Sequence, residues 1–387
     1  MVAEEWEIEK IGNLFEFKNG LNKGKEFFGY GTPIINYTDV YNHRGLTKKE
    51  VNGKVSLENN ELNRYAVKKG DVFFTRTSET PEEVGISSVL LEDIPDCAFS
   101  GFILRGRPKT DRLLPEYCQY CFSAPKVRNE IISRCTYTTR ALTNGKQLSA
   151  INIPVPEKTE QIAIATALSD IDSLINSLCQ LIAKKKNIRQ GTMQALLTGK
   201  RRLPGFVEEW RETLLDDVAD RFDNLRVPIS ADKRVKGYTP YYGANGIQDY
   251  VDGYTHNGEY VLIAEDGAND LQHYPIRYVR GKIWANNHVH VLQGKHNVIY
   301  TKFLSYVMTC VNFESILVGG TRAKLNAKSL MRIKIYIPIN FKEQQAISEI
   351  IYDMESEISA LQTQLQKYEN IKKGMMEKLL TGQIRLV

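Results

Sequence analysis

Two loops at matching places in the chain carry opposite chemistry. Thr75-Arg76-Thr77-Ser78 follows the Lys69-Gly70-Asp71 turn and the apolar run of residues 72–74. Glu265-Asp266-Gly267-Ala268-Asn269 follows Asn257-Gly258-Glu259 and the apolar run of residues 260–263. The first loop offers a guanidinium and hydroxyls, the second two carboxylates and an amide. Arginine can pair two-pronged with guanine, asparagine with adenine, and a carboxylate can accept from cytosine N4. Arg76, Thr77 and Ser78, with Glu265, Asp266 and Asn269, are therefore candidates for reading bases, against the plainer reading of two polar turns. A second set is common to both halves: Thr139, Arg140, Asn144 and Lys146, then Thr321, Arg322, Asn326 and Lys328. Shared residues suit a task indifferent to sequence, such as holding phosphates. The plainer alternative is a cap for the strand that follows.

Other reactive spacings lead nowhere comparable. Cys118-Gln119-Tyr120-Cys121 is a lone Cys-x-x-Cys, and no second pair completes a four-ligand zinc site. Setting Pro115 against Thr301 places Cys118 opposite Leu304 and Cys121 opposite Val307, so both cysteines read as core positions of a helix present in each half. His288 and His290 would share one face of a strand, but no neighbouring carboxylate or cysteine is evident to complete a ligand set, so no metal site is expected. There is no phosphate-cradling Gly-Lys-Ser/Thr loop, no dinucleotide glycine fingerprint and no His-Glu-x-x-His helix. No Gly-x-Ser-x-Gly elbow appears, and without a Pro-Pro there is no methyltransferase-type Asn/Asp-Pro-Pro-aromatic clamp. These absences argue against an enzyme and against a resident cofactor.

The elements that must position these loops are written twice. Thr139-Arg140-Ala141 is answered by Thr321-Arg322-Ala323, an offset of 182 (321 − 139). Glu160-Gln161 is answered by Glu343-Gln344, and residues 196–199 (Leu-Leu-Thr-Gly) by 379–382, at 183 (343 − 160). So long a period is a duplicated domain with its tail, since solenoid units run to about 20–50 residues. In the first tail Ile164, Leu168, Ile171, Ile175, Leu178 and Ile182 step by four and three, a coiled-coil seam. The second tail answers with Ile347, Ile351, Met354, Ile358, Leu361 and Leu365. Gly199 and Gly382 fall where helix caps belong. A helix from Glu160 to Leu197 would run roughly 57 Å at about 1.5 Å per residue. Two matching stripes are best covered by each other, which predicts mutual helix–helix packing. The bodies before the tails read as mixed α/β, with turns feeding buried strands.

Composition sets the class. The chain has 387 residues, 42% hydrophobic and 25% charged, enough apolar material for real cores. No stretch approaches the roughly 18 apolar residues of a membrane span. The acidic N-terminus lacks the signature of a signal peptide, so a cytoplasmic location with reduced cysteines is expected. The net charge of +5 is concentrated in residues 158–203, around Lys184-Lys185-Lys186, Arg189 and Lys200-Arg201-Arg202. Any nucleic-acid contact by the larger bodies must therefore use local patches.

The residues 153–156 (Ile-Pro-Val-Pro), the Glu160-Gln161 opening of a long helix, the Leu-Leu-Thr-Gly close and the second copy of each resemble the specificity (S) subunits of type I restriction–modification systems, the HsdS family. The Thr-Arg segments, the Pro33 and Pro240 regions and the Gly70 and Gly258 turns resemble that family's target-recognition domains. The resemblance covers essentially the whole chain. It implies an α+β fold: two globular mixed α/β target-recognition domains separated by two long antiparallel coiled-coil helices, with a pseudo-two-fold internal repeat. The expected boundaries are 1–157 and 204–340 for the domains, and 158–203 and 341–387 for the spacer helices. It further implies a non-catalytic subunit binding double-stranded DNA. Two methyltransferase (M) subunits and endonuclease/translocase (R) subunits would be its partners, and S-adenosylmethionine, ATP and Mg would sit only on them. One departure is the single proline of Tyr336-Ile337-Pro338-Ile339. Alternatives from the residues alone are the DNA-reading subunit of a different modification system, or a coiled-coil interaction protein without sequence-specific DNA binding. An enzyme with an unrecognised site would show turnover with no partner added.

A two-fold pairing of unequal loops predicts an asymmetric bipartite target, with helix length setting the unread gap. Inserting one heptad into the first tail alone should abolish binding or change the spacing between modified bases. Mapping those bases checks it, and an unchanged spacing would sink the ruler idea.

Overall fold

The computed structural model describes residues 6–271, 273–317 and 324–386. The chain divides into two compact units: unit 1 is Met1–Cys179 with Thr363–Val387, and unit 2 is Gln180–Gln362. Each holds one strand-rich body and a part of each of two long helices, Lys158–Leu197 and Phe341–Leu379. The class is α+β, as expected, with the long helices packed together.

In unit 1 a five-stranded sheet runs in the order Phe15–Asn19, Ile103–Pro108, Val72–Thr75, Ser87–Leu90, Gly45–Leu46. The central strand is buried at all four residues. Val72 and Phe74 face one core, with Tyr117, Cys118 and Cys121 of the helix Pro115–Cys121, while Phe73 faces another, with Ile35, Leu46 and Phe99. Successive side chains of a strand point to opposite faces, so a strand apolar throughout must be covered on both.

Unit 2 repeats the scheme with six strands, in the order Ala219–Arg221, Val289–Gly294, His256–Ala264, Ile276–Ala285, Lys236–Gly243, Gly246–Val251. Val261 and Ile263 pack with Phe303, Leu304 and Val307 of the helix Thr301–Met308, and Tyr260 and Leu262 pack on the other face. Cys118 and Cys121 thus occupy the core positions that Leu304 and Val307 fill here, and all six cysteines are free thiols.

Both long helices end on a left-handed glycine, Gly199 (φ 68°) and Gly382 (φ 71°). The amides of Arg201 and Ile384 reach back six residues to the carbonyls of Ala195 and Lys378, at 3.0 and 3.3 Å. This closure, one residue wider than a Schellman motif, needs a residue free of a Cβ penalty at positive φ. Past each cap the chain turns its arginine inward. In unit 1 Arg385 donates two bonds to the fully buried Glu160 carboxylate, Nε to Oε1 at 2.6 Å and Nη2 to Oε2 at 2.8 Å, and the Trp6 indole adds a third at 2.9 Å. In unit 2 Arg202 grips the equally buried Glu343 at 2.7 and 2.8 Å. The Trp210 indole stands in for Trp6 beside Arg202, but its Nε1 has no acceptor among the described residues.

The neighbouring glutamines are buried anchors as well. The Leu114 amide donates to Gln161 Oε1 at 2.9 Å, and Gln161 Nε2 donates to the carbonyls of Arg112 and Pro156. Gln344 accepts from Tyr300 and donates to Val298 and Pro338 in the same way. Glu-Gln is thus a node that joins helix start, preceding strand and body, its buried polar atoms satisfied as burial demands.

The helix parts run antiparallel within each unit. In unit 1 Asp172 pairs with Lys372 while Glu160, earlier, meets Arg385, later. In unit 2 Lys185 pairs with Glu357 at 2.6 Å and Arg189 with Glu355 at 3.4 Å. Of the seam residues, Ile164 and Leu168 lie in the core of unit 1, and Ile347 and Ile351 in that of unit 2. Ile171, Leu178, Ile182 and Ile358 are buried, and Ile175, Met354, Leu361 and Leu365 are half-buried. Leu379 and Leu380 complete the core of unit 1, and Leu196 and Leu197 that of unit 2. One expectation is corrected here: Lys158–Leu197 is long and apolar enough by composition to cross a membrane. Counting unbroken apolar runs misses it, because scattered small polar residues dilute such a run without making the mean hydropathy low.

Burial alone would raise the Glu160 pKa, but the bonds from Arg385 and Trp6 and the arginine charge outweigh it and hold the carboxyl below its ordinary 4.5. A folded value below the unfolded one gives stability that is present above about 4.5 and lost as pH falls through the folded value. Arg385→Ala strands a buried carboxylate and should cost about 3 kcal/mol, while flattening this acid limb. Denaturant melts of the full chain at several pH values check both, and an unchanged midpoint would remove the pair from its structural role.

Candidate nucleic-acid interface

In unit 1 the two loop families meet in one small sheet. Thr77–Ser78 pairs antiparallel with Ala141–Leu142, which pairs with Thr136–Tyr137. The Thr143 amide donates to the Arg76 carbonyl at 3.0 Å. Thr139, Arg140 and Lys146 are exposed, and Arg76 is half-buried with no ion pair among the described residues. Thr77 lies in the ladder. Ser78 is buried and donates to Glu83 at 2.8 Å, so its hydroxyl is engaged within the protein. Asn144 caps the short helix Gly145–Ser149, accepting from the Gln147 amide at 3.0 Å.

Unit 2 builds the same junction from different residues. Asp266 and Lys324 form an antiparallel bridge, and the Leu325 amide donates to the Glu265 carbonyl at 2.7 Å. Leu325 stands to Thr143 at the repeat offset (325 − 143 = 182). Thr321 and Arg322 lie outside the described residues. Asn326 precedes the helix Ala327–Met331 without a side-chain cap bond, and Lys328 is exposed. Asn269 is exposed, its backbone N–H donating to Asn245 Oδ1 at 3.0 Å.

Glu265 is not a free carboxylate in this arrangement. It accepts from Arg226 at 2.6 Å and pairs with Lys324 at 3.0 Å. The buried His290 lies between Asp223, 2.7 Å from Nδ1, and the Leu325 carbonyl, 2.8 Å from Nε2. Burial would raise the pKa of Asp223 and Glu265, but bonds from His290 and the Val291 amide on one, and from Arg226 and Lys324 on the other, lower both.

The expectation that no carboxylate stands by the histidines is therefore wrong. Asp266 bonds His288 at 2.5 Å, and Asp223 and Glu265 flank His290. Nor do the histidines share a face: His288 precedes the strand Val289–Gly294 and its side chain is 48% exposed, against 1% for His290. Asp223, Glu265 and His290 are the one group among the described residues close enough to hold a metal ion. Arg226, Arg221 and Lys324 already supply its positive charge, so it is an internal ion-pair network. Sequence reading missed Asp223, Arg226 and Lys324, which carry no motif. It also read Arg202 only as part of a charge run and passed over Arg385, although the two stand at the same offset of 183 (385 − 202) as Glu160 and Glu343.

Comparison with known proteins agrees with this geometry. The family described as Type I restriction modification DNA specificity domain matches the chain twice, over residues 3–187 and 207–372. The MjaVIII type I restriction enzyme specificity subunit of Methanocaldococcus jannaschii is 23% identical over all of this chain and 94% of its own length. A Haemophilus influenzae protein named a candidate specificity subunit is 51% identical over 136 residues, which span 35% of this chain and 34% of that relative. Among solved structures, the type I S subunit from M. genitalium superposes with a TM-score of 0.66 at 17% identity, covering 97% of this chain and 96% of that one. At that identity the likeness is one of fold.

Arg226→Ala should destabilise unit 2 by about 2 kcal/mol, because it strips the main cation from two half-buried acids. Hydrogen exchange at the Leu325 amide should speed up with it. Wild-type protection at Leu325 in the variant would show that the network does not hold the junction.

Proposed function

We propose, on the premise that this chain belongs to the family of type I restriction–modification specificity subunits, that each unit reads one half of an asymmetric bipartite DNA site. As a member of that family it is the non-catalytic DNA-specificity subunit, and it acts by assembling with partner subunits. The observation that carries the half-site reading is the junction repeated in both units: Thr143 to Arg76, and Leu325 to Glu265. Each ties a segment common to the two halves to a loop that differs between them.

Shared exposed cations, Arg140 and Lys146 in unit 1 and Lys328 in unit 2, would grip phosphates and set register, which carries no sequence information. The adjoining side chains would meet base edges: Arg76 with Thr77 in unit 1, and Asp266 and Asn269 in unit 2. Ser78 and Glu265 would act as supports for these loops. We assign recognition to residues 1–157 and 204–340, and spacing and partner docking to 158–203 and 341–387. Two methyltransferase subunits would dock on the helices, and the endonuclease/translocase subunits would join through the assembled complex. S-adenosylmethionine, ATP and Mg would be bound by those partners, and the complex would work in the cytoplasm.

Mapping the methylated bases in DNA from cells carrying the system tests the reading directly, and a single contiguous or palindromic site would overturn it. On the mapped site, Arg140→Ala should weaken binding to every sequence and lower the salt slope by about 1. Arg76→Ala should cost about 1–3 kcal/mol and relax one base position in one half-site. Competition binding at two or more salt concentrations separates the two, and identical effects would refute the division of labour.

A further inference from the structure

Both units build one unusual strand in the same way and throw a tyrosine off it. A single 3-10 turn, Lys25–Phe27 or Ala231–Lys233, leads into Phe28–Ile35 or Lys236–Gly243. Each strand then bulges against one valine of its partner. Phe28 and Thr32 both stand opposite Val55, and Lys236 and Thr239 both stand opposite Val251. The backbone bonds beside the bulge match, Ser56 to Phe27 at 2.8 Å and Asp252 to Val235 at 2.9 Å. The residues thrown out are Gly29-Tyr30-Gly31 in one unit and Gly237-Tyr238 in the other, both followed by Thr-Pro.

The bulge is specified by close backbone approach. A Cβ on Gly31 would lie 2.5 Å from the Val55 carbonyl oxygen, and one on Gly237 would lie 2.4 Å from that of Val251. Glycine is therefore required where the two strands touch, and the tyrosine beside it is pushed outward. Tyr30 is 55% exposed and Tyr238 fully exposed. Neither makes a hydrogen bond or ring contact within the described residues. Exposed lysines flank both, Lys25 and Lys54 in unit 1 and Lys233 and Lys236 in unit 2. Bulges re-aim side chains at functional sites. Two halves that differ in most loops keep this one, so its purpose is common to both and independent of which bases are read.

We propose that Tyr30 and Tyr238 are equivalent contacts to double-stranded DNA, one for each half-site. The ring packs on a sugar–base edge while the flanking lysines face the phosphates. An anion is the partner that the lysines complement, and an exposed ring beside them supplies an apolar surface for the deoxyribose, which is the same whatever the sequence. The assignment rests on the reading that each unit meets its own half-site.

The test uses the full chain co-purified with its methyltransferase partner, on a duplex bearing the mapped site. Tyr30→Ala and Tyr238→Ala should each weaken binding about tenfold with the salt slope unchanged, and the Phe variants should bind within about twofold of wild type. Lys25→Gln with Lys54→Gln should lower the slope by about 2. Full affinity in the Ala variants, with two protected patches in the wild-type hydroxyl-radical footprint, would overturn the tyrosine assignment alone. One protected patch in the wild type would overturn the half-site reading beneath it. Loss of methyltransferase co-purification in the Ala variants would overturn the proposal in favour of a protein-docking surface.

Discussion

The buried carboxylate–guanidinium pair at the start of each long helix is the constraint on which the other features rest. Glu160 and Glu343 are fully buried, and each is tolerated only because an arginine arrives from the end of the other long helix. Removing one partner of such a pair leaves a charge without compensation, which is far costlier than never having buried it. The pair therefore works as a geometric requirement: the second helix must end where the first begins, with its glycine cap turned so that the arginine points inward. The Leu-Leu pair of the same last turn then completes the apolar core. Polar lock and hydrophobic closure come from one short segment, Leu379 to Arg385 in unit 1 and Leu196 to Arg202 in unit 2.

With the frame held in this way, the loops above it can differ. The junction between Thr143 and Arg76 and that between Leu325 and Glu265 use backbone groups only. Backbone hydrogen bonds do not constrain side-chain identity, so a guanidinium can stand in one unit where carboxylates stand in the other. Unit 2 offsets its acids with Arg226 and Lys324, a local network with no counterpart near Arg76 among the described residues. A loop of changed charge thus comes with its own ion-pair partners, while the frame below it stays the same.

Much of the fold was legible because its signals are local or periodic. Gly199 and Gly382 mark helix ends by the positive φ that only glycine takes cheaply, and the spacing from Ile164 to Ile182 declares a helix face. Cys118 and Cys121 could be placed in a core by comparison with Leu304 and Val307. The candidate site was legible only in outline. The sequence named the loops at Arg76 and Glu265 and the shared segments, and offered Ser78 and Glu265 as base-reading candidates with no sign that Glu83, Arg226 and Lys324 engage them. It also separated His290 from its acids, since Asp223 lies 67 residues away along the chain.

Sequence by itself determined that the chain is a duplicated scaffold with two long helices. Repetition, periodicity and capping are properties of residues counted along one strand of text. Only the tertiary structure decided which residues meet: Arg385 with Glu160 across 225 positions, and the shared segments with the divergent loops. Pairings at such separations depend on the path of the backbone through three dimensions. A side chain's chemistry says what it can bind, and the path alone says what it is brought to.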